Sequence, residues 1–443
     1  MVGRAPKPSG CAWRPGDKHM SATSQRLRSI IGGSAGNLVE WYDWYAYSVL
    51  TIYFAPEFFP SEDKTAQLLS AAAIFAVGFL MRPIGAWLMG IYSDRHGRKS
   101  GLALSVALMA GGSLMIAAAP TYATAGAVAP VVLVIARMLQ GLSVGGEYGA
   151  SATYLSEMAL RERRAFWASF QYFTLIGGQL LALGVVLLLQ LTMAETELQA
   201  WGWRIPFAVG AVLALAVYVL RRRLAETQSF TAQARDRKKS SIANLWRDHP
   251  REFLIVAAIS AGGSMAFYAY TTYLQKFLVN TTGFSRPTAT MVMTAALIIF
   301  MMIQPLWGMA ADRWGRKPML FIFGFGGMLV SVPVFTALSH AATPAIALGL
   351  TLIPLTILGA YTSISGLIKA ELFPPHIRTL GVALPYAIGN TLFGGTAEYA
   401  ALWFKQAGAE SGFYWYLTAI IGMATIGFWM LPETKLASLI QED

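Results

Sequence analysis

The sequence predicts an all-α polytopic membrane protein in which twelve transmembrane helices form two pseudo-symmetric six-helix bundles. Its composition predicts the membrane, because 55% of the 443 residues are hydrophobic and only 13% are charged, as in chains that lie mostly in lipid. An internal repeat predicts the two bundles. The segment GIYSDRHGRK at 90–99 returns as GMAADRWGRK at 308–317, about half the chain length later.

Apolar segments of roughly 20 residues, the length that crosses about 30 Å of hydrocarbon, follow one another along the chain. We expect spans at about 30–54, 67–92, 101–120, 126–156, 166–191, 203–221, 253–277, 289–310, 318–339, 345–370, 378–402 and 411–431. These spans divide the chain into a cytoplasmic tail at 1–29, a bundle at 30–221, a cytoplasmic linker at 222–252, a bundle at 253–431 and a cytoplasmic tail at 432–443.

The distribution of positive charge predicts the orientation. If the N-terminus is cytoplasmic, most of the 34 Lys and Arg residues fall in the tails and in every second loop. Positively charged loops remain in the cytoplasm, so we expect both termini on that side. The net charge of +11 is then a topology signal, and we expect the lipid bilayer rather than nucleic acid as the partner of the basic segments.

Several chemistries are excluded by what the sequence lacks. It contains no P-loop motif for ATP. All five histidines lie in tails or loops and the only cysteine is Cys11, which argues against a buried histidine relay and against a multi-cysteine or zinc site. We therefore expect no enzyme activity, no metal and no cofactor.

Two carboxylates in the first span are candidates for a proton carrier. Glu40 and Asp43 are three residues apart and share one helix face near the middle of the membrane. Buried carboxylates need a partner or a function. Asp43 or Glu40 could carry a proton, or could form a structural ion pair with Arg137 in the fourth span, and one pair could do both.

Glu147 and Arg82 are further ionisable residues inside predicted spans. Glu147 lies among Gly145, Gly146 and Gly149, so it could be a second proton site or part of a charge network with Arg82 or the loop arginines. Arg82 is the sharpest candidate for substrate binding, since a guanidinium can bind a carboxylate through two parallel hydrogen bonds. The alternative is that Arg82 neutralises Glu147 or Glu40.

The repeated motif and the segment RMLQGLSVGGEYGA at 137–150 resemble the major facilitator superfamily. Within that superfamily the chain resembles the metabolite:proton symporter family through six segments. They are GNLVEWYDWYAY (36–47), FLMRPIGAW (79–87), QGLSVGGEYGASATYLSE (140–157), FQYFTLIGGQLLAL (170–183), WGWRIPFA (201–208) and YTSISGLIKAELFP (361–374).

The resemblance implies a monomeric, proton-coupled secondary active transporter of the bacterial inner membrane, with protons as the coupling ion. The segments TTYLQKFLVNTTG (271–283) and MTAALIIFMMIQPLWG (293–308) resemble those of bacterial 2-oxoglutarate carriers within the family, so the expected substrate is a small dicarboxylate, 2-oxoglutarate. Carriers of citrate, shikimate or proline/betaine share the six family segments and remain alternatives, as does a non-transporting membrane receptor that uses the same pocket.

The resemblance also implies residue roles. Related sugar:proton symporters are similar in having an acid in span one and an arginine at the start of the span-four motif, which favours Asp43 over Glu40 as the proton carrier. A similar sugar-porter segment favours Gln179 as a substrate ligand. The further donors considered for a dicarboxylate are Tyr42, Tyr45, Tyr172, Tyr268, Tyr270, Tyr273, Gln304, Tyr361, Ser363, Ser365, Tyr386 and Asn390.

The gating residues are expected at the cytoplasmic ends of the spans. Asp94 with Arg98, and Asp312 with Arg316, belong to the repeated motif, and each acid is placed to cap a neighbouring helix or pair with an arginine. We expect cytoplasmic latches and an inner gate from the following residues: Glu157 with Arg163 or Arg164, Glu371 with Arg378, and Lys369.

Overall fold

The computed structural model describes residues 22–60, 64–222, 226–227, 230 and 240–440. Within these ranges the chain forms helices, turns and loops, and no strand. Cys11 and most of the predicted tail at 1–29 lie outside the described residues, as do much of the linker at 222–252 and residues 441–443. The division into tails, bundles and linker therefore stays a prediction.

The first half of the molecule comprises the described residues up to 222. Its long helices are α1 (Ala22–Phe58), α2 (Lys64–His96), α3 (Arg98–Ala117), α4 (Val128–Met158), α5 (Phe170–Thr192) and α6 (Arg204–Arg221). Short helical segments join them at Tyr122–Ala125, Arg161–Arg163, Arg164–Ala168, Glu195–Glu197 and Leu198–Gly202.

The second half comprises the described residues from 240 onward. A short helix, Ile242–Asp248, precedes α7 (Pro250–Tyr268), α8 (Arg286–Trp314), α9 (Arg316–Ser339), α10 (Pro344–Thr362), α11 (Arg378–Gly389) and α12 (Glu410–Met430). Three of these helices continue beyond an interruption: α7 through a π turn at Ala269–Tyr273 to Leu274–Asn280, α10 to Ser365–Glu371, and α11 through a π turn at Asn390–Gly394 to Ala397–Gln406.

The prediction of an all-α membrane protein is confirmed. Ten of the described helices are long and apolar enough to cross a membrane. The predicted spans at 30–54 and 378–402 fall on α1 and α11, which are helical but more polar or interrupted. On α1 the polar residues Asn37, Glu40 and Asp43 are buried, so they face protein rather than lipid.

The two halves meet along several helix pairs. Two of these pairs, α2 against α11 and α5 against α8, are related by the internal repeat, and α4 also packs on α11. Glycines permit a close approach at this interface and beside it. A Cβ atom at Gly149 would lie 2.4 Å from the Ala383 Cβ, and one at Gly145 would lie 2.1 Å from the Arg82 carbonyl oxygen, so α4 packs directly on α11 and on α2.

An aromatic layer also joins the halves. The Trp41 and Phe267 ring centroids are 6.1 Å apart at 70°, and those of Phe79 and Tyr268 are 6.1 Å apart at 62°. Edge-to-face pairs of this kind add about 0.5–1.5 kcal/mol each beyond their buried area. The layer covers one side of Arg82, whose surroundings form the candidate site.

Candidate substrate, proton and gate sites

A small cavity lies between the two halves. Its volume is about 10 Å³, which is about the smallest space that holds one water molecule. A dicarboxylate therefore requires the walls to move apart. The wall residues are Asn37, Glu40, Trp41, Arg82, Val144, Gly145 and Tyr148 of the first half with Tyr386, Ala387 and Asn390 of the second.

Arg82 is buried in the wall of this cavity with unused hydrogen-bonding capacity. Its Nη1 donates to the Tyr268 hydroxyl at 3.2 Å, and its guanidinium carbon lies 4.0 Å from the Phe79 ring and 4.2 Å from the Trp44 ring. Its Nε and Nη2 have no hydrogen-bond partner among the described residues. These two donors can bind one carboxylate in a bidentate geometry.

Glu147 pairs with an arginine other than Arg82. Arg221 Nη1 donates to Glu147 Oε2 at 2.8 Å, Arg221 Nη2 also contacts Oε1, and Ser105 donates to Oε2 at 2.5 Å. The expectation of a charge network is met, but its arginine comes from the end of α6. The guanidinium and the carboxyl group of Glu147 offset each other's charge, because leaving either charge unpaired in the interior is costly.

Asp43 and Arg137 do not form the direct ion pair that the sequence left open as an alternative to a proton carrier. Arg137 Nη1 donates to Gln140 Oε1 at 2.7 Å, Gln140 Nε2 donates to Ser113 Oγ at 3.2 Å, and Ser113 donates to Asp43 Oδ2. The Arg137 guanidinium instead lies over the Trp44 ring at 4.2 Å. Within the described structure the other Asp43 oxygen, Oδ1, has no hydrogen-bond partner, so it is available for a proton.

Glu40 differs from Glu147 in its partners. It is 1% exposed and accepts a hydrogen bond from Ser143 Oγ at 2.5 Å. None of the ion pairs between described residues includes Glu40. It lines the same cavity as Arg82, so the carboxylate shares one compartment with the candidate substrate ligand.

The other predicted substrate ligands divide into three groups. Tyr268 and Asn390 lie beside Arg82 or in the cavity wall. In the second group, the hydroxyls of Tyr42, Tyr361 and Ser363 donate to the backbone carbonyls of Pro206, Ile259 and Ala360, which satisfies them within their own half.

Tyr45, Gln179 and Tyr172 lie nearer the interface between the halves. Gln179 Nε2 donates to the Tyr45 hydroxyl, and that hydroxyl lies 3.2 Å from Thr272 Oγ1 of the second half. The Tyr172 ring centroid is 5.7 Å from that of Phe267. These three residues help to close the interface rather than line the cavity itself.

The acids of the repeated motif cap helices of the opposite half. Asp94 accepts hydrogen bonds from the backbone N–H groups of Thr379 and Leu380, both at 3.1 Å. Asp312 does the same for Ala165 and Phe166, both at 2.9 Å. A carboxylate at a helix N-terminus satisfies unpaired N–H groups and opposes the helix dipole. We call this end of the bundle the motif end.

Each motif arginine forms an ion pair with the motif acid of its own half. Arg98 Nη1 lies 2.7 Å from Asp94 Oδ1, and Arg316 Nη1 lies 3.4 Å from Asp312 Oδ1. The Arg98 guanidinium also donates across the interface to the Pro375 carbonyl at 2.5 Å. Both halves therefore contribute to closing the motif end.

Among the described ion pairs, the latch acids contact arginines other than the predicted ones. Glu157 lies 2.5 Å from Arg378 of the second half and 3.5 Å from Arg98 of its own half. Glu371 lies 3.6 Å from Arg316, which also belongs to the second half. The reason is geometric: the end of α4 faces the start of α11, and sequence spacing reveals the repeat but not the half that supplies the partner.

Two glutamates of the motif end were not predicted. Glu226 accepts from the backbone N–H groups of Arg98 and Lys99 at 3.0 and 3.3 Å, and burial raises the pKa of its carboxyl. Glu433 accepts from those of Arg316 and Lys317 at 2.8 and 2.9 Å. A sequence signal existed, because the dipeptide Glu-Thr follows the last span of each half at 226–227 and 433–434.

Lys369 lies deeper than its predicted place in an inner gate. It is fully buried, and its Nζ donates to the Tyr148 hydroxyl at 2.8 Å and to Ser365 Oγ at 2.9 Å. The Tyr386 ring centroid is 4.5 Å from the same nitrogen. The amine therefore reaches the two tyrosines that line the Arg82 cavity.

Replacing Asp94 with Asn is expected to loosen the motif end. The variant loses charge-assisted hydrogen bonds to the start of α11, each worth about 1.5–3 kcal/mol. We expect a cysteine at Ala383, which is buried against Gly149, to react about tenfold faster with a water-soluble maleimide when Asp94→Asn is present.

The labelling is measured in a Cys11→Ser background, which removes the only native cysteine. Asp248→Asn is the matched control, because Asp248 is exposed and forms an ion pair with its neighbour Arg247. Equal labelling rates in the Asp94 and Asp248 variants would show that the caps do not hold this end closed.

Comparison with known proteins supports the fold and the repeat. A family model for sugar (and other) transporters matches residues 30–241 and again 221–443. The alpha-ketoglutarate permease of Escherichia coli K12 is 52% identical over 92% of this chain and 93% of its own length. The citrate-proton symporter of Klebsiella pneumoniae is 30% identical over 91% of each chain.

Solved structures agree with this assignment. A structure of XylE, a major facilitator superfamily proton:xylose symporter, matches with a TM-score of 0.79 at 21% identity, over 95% of this chain and 99% of that one. The E. coli fucose:proton symporter matches with a TM-score of 0.68 at 15% identity, over 91% and 99%. The chain therefore belongs to the sugar (and other) transporter family and has the major facilitator superfamily fold.

Proposed function

We propose that the chain is a proton-coupled symporter that imports 2-oxoglutarate, a small dicarboxylate, across the bacterial inner membrane. The observation that carries the proposal is Arg82, a buried guanidinium in a cavity between the halves, with two donors that no described residue accepts from. A permanent positive charge in this position is costly unless it has a functional partner. The E. coli relative named alpha-ketoglutarate permease, at 52% identity, supports this particular anion.

The orientation and assembly state form part of the proposal. We place the motif end and both termini in the cytoplasm, because the positive loops are at that end of the spans. Each half holds a complete set of six long helices and the cavity lies between the halves of one chain, so a monomer suffices for transport. Protons are the only other species required, and no cofactor or metal is invoked.

Alternating access follows from the contacts at the motif end. With Asp94 and Asp312 capping helices of opposite halves, the cytoplasmic route is closed. Substrate and protons enter from the other side, the walls close on them, and the caps then separate as the halves rock. Several weak contacts that break together can shift such a two-state equilibrium.

Charge balance requires two proton sites. A dianion that enters with one proton still carries a net negative charge, which costs about 2.3 kcal/mol per 100 mV against an inside-negative potential. Asp43 is the first site, since its Oδ1 has no hydrogen-bond partner in the described part of the chain. Glu147 was the expected second site, but its pairing with Arg221 makes Glu40, which lines the cavity, the better candidate.

Other substrates and a receptor function are the competing proposals. Among relatives, the proline/betaine transporter of Salmonella typhimurium is 28% identical over 93% of this chain, and the citrate-proton symporter of K. pneumoniae is 30% identical. A zwitterion or a tricarboxylate would need a different balance of charges around Arg82. A receptor would bind the same anion without moving it.

Competition for uptake tests the substrate. Proteoliposomes containing the purified protein are given labelled 2-oxoglutarate with a tenfold excess of unlabelled succinate, citrate, shikimate or proline. We expect unlabelled 2-oxoglutarate to compete fully, succinate partly, and shikimate and proline not at all. Strong competition by citrate, shikimate or proline would assign the transporter to that substrate instead, and binding of 2-oxoglutarate without uptake would indicate a receptor.

A further inference from the structure

We propose that Lys369, with Tyr148 and Tyr386, forms a second anion site that binds the distal carboxylate of the substrate. Arg82 binds the first carboxylate from the first half, and Lys369 binds the other from the second half. This inference rests on the proposed function, because it deepens the assignment of a dicarboxylate to the same cavity.

Lys369 is a buried amine that has no acidic partner among the described residues. The residue is 0% exposed, yet none of the ion pairs among the described residues includes it. Two hydroxyls, those of Tyr148 and Ser365, accept hydrogen bonds from its Nζ. An ammonium has three donors, so one remains for a further acceptor. Ionisable residues inside membrane bundles usually mark the path of substrates or ions.

Two stacked tyrosines separate this amine from the Arg82 cavity. Tyr148 of α4 and Tyr386 of α11 have ring centroids 3.4 Å apart with an interplanar angle of 9°. Both rings line the cavity with Arg82, and Lys369 Nζ is 4.9 and 4.5 Å from their centroids. Because the two tyrosines come from opposite halves, movement of the halves must part or slide them.

The helix register places Arg82 and Lys369 on opposite sides of the stacked tyrosines. A Cβ at Gly90 would lie 2.9 Å from the Leu380 Cα, and Thr391 donates to the Phe79 carbonyl, so α2 and α11 run antiparallel with Tyr386 near the level of Arg82. Side chains tilt toward the N-terminus of their own helix. Arg82 thus points away from the motif end and the Tyr386 ring points toward it.

The interruption in α10 gives Lys369 its position. The helix stops at Thr362 and resumes at Ser365, so that Lys369 lies on the separate last segment, Ser365–Glu371, which packs on α4. Interrupted membrane helices commonly line substrate sites in transporters. Ser365, four residues before Lys369, is on the same face and holds the amine.

Together these contacts predict how the ligand is selected. A ligand with two carboxylates can neutralise both cations and so draw the two halves together, whereas a monocarboxylate can neutralise only Arg82. The protein should therefore prefer a dicarboxylate to a monocarboxylate of equal chain length because Lys369 binds the second carboxylate.

The test compares 2-oxoglutarate with 2-oxopentanoate, which has the same chain but lacks the distal carboxylate. Binding to the purified full-length protein is measured by calorimetry for the wild type, Lys369→Met and Lys369→Gln. Each substitution should weaken 2-oxoglutarate binding about 30-fold, the range of one or two charge-assisted hydrogen bonds, and leave 2-oxopentanoate binding unchanged. Lys276→Met, which removes an exposed lysine paired with Glu398, is the matched control.

The outcomes separate this inference from the proposed function. Equal weakening of both ligands would show a structural role for Lys369, and unchanged 2-oxoglutarate binding would show no contact; either result overturns the second site. Two substitutions are used so that one misfolded variant, detected by loss of monodispersity, leaves the other to decide. If the wild type itself fails to bind and transport 2-oxoglutarate, the proposed function is wrong, independently of Lys369.

Discussion

Arg82→Lys is expected to lower the affinity for 2-oxoglutarate by about 100-fold or more while leaving the protein folded. Lysine keeps the positive charge but cannot present two parallel N–H donors to one carboxylate. In the structure the guanidinium packs against the Phe79 and Trp44 rings, and its Nε and Nη2 have no hydrogen-bond partner among the described residues. The ammonium group of a lysine cannot reproduce these two parallel hydrogen bonds to one carboxylate.

Binding is measured by calorimetry on purified protein, and folding by thermal unfolding in the same detergent. Arg204→Lys is the matched control, because Arg204 begins α6 and lies over the Trp203 ring at 4.1 Å, away from the cavity. An Arg82→Lys protein that binds 2-oxoglutarate with normal affinity would remove Arg82 from the substrate site.

Asp43→Asn is expected to lose accumulation driven by a pH gradient but to retain exchange of internal for external substrate. Asparagine has a similar shape to aspartate and can still accept the Ser113 hydrogen bond, but it cannot carry a proton. The substrate ligand Arg82 is unaltered, so binding and exchange remain. For each coupled proton that is lost, the accumulation driven by one pH unit falls about tenfold.

Accumulation and exchange are measured with labelled 2-oxoglutarate in proteoliposomes. Ser113→Ala is the companion variant, since it breaks the chain from Asp43 through Gln140 to Arg137 and leaves the carboxylate in place. We expect it to shift the pH at which accumulation is half-maximal without abolishing coupling. Unchanged proton dependence in Asp43→Asn would transfer the role to Glu40.

Much of the fold could be predicted from the sequence because lipid imposes a simple rule. Each span needs a long apolar helix, and the repeat of residues 90–99 at 308–317 fixes the equivalence of the halves. The interruptions at Ser363–Ile364 and in α11 could not be predicted, because the small polar residues and glycines found there, TSISG at 362–366 and NTLFGGT at 390–396, are also common within continuous membrane helices.

The sequence identifies the charged residues of the candidate site, because a charged side chain is costly in lipid. It does not identify the residues with which they pair. Arg82, Asp43 and Glu40 stand out because charge is rare inside spans. Arg221 does not, since it ends a span and resembles a loop arginine, yet it is fully buried against Glu147. Gln140 and Ser113 join Arg137 to Asp43. Uncharged polar residues of this kind are common in membrane helices, so they do not stand out in the sequence.

The same limit explains the latch pairs. Sequence spacing shows that Glu157 and Glu371 are equivalent, but the choice between a partner in the same half and one in the other half depends on how the halves dock. The structure places Arg378 of the second half against Glu157 of the first. This ion pair therefore holds the two halves together.

The most direct test of the account is uptake of labelled 2-oxoglutarate by proteoliposomes with an acidic exterior and a neutral interior. The account predicts accumulation above the external concentration, collapse of that gradient on addition of a protonophore, and no accumulation by the Asp43→Asn protein under the same conditions. Uptake that only equilibrates and ignores the protonophore would contradict proton-coupled import.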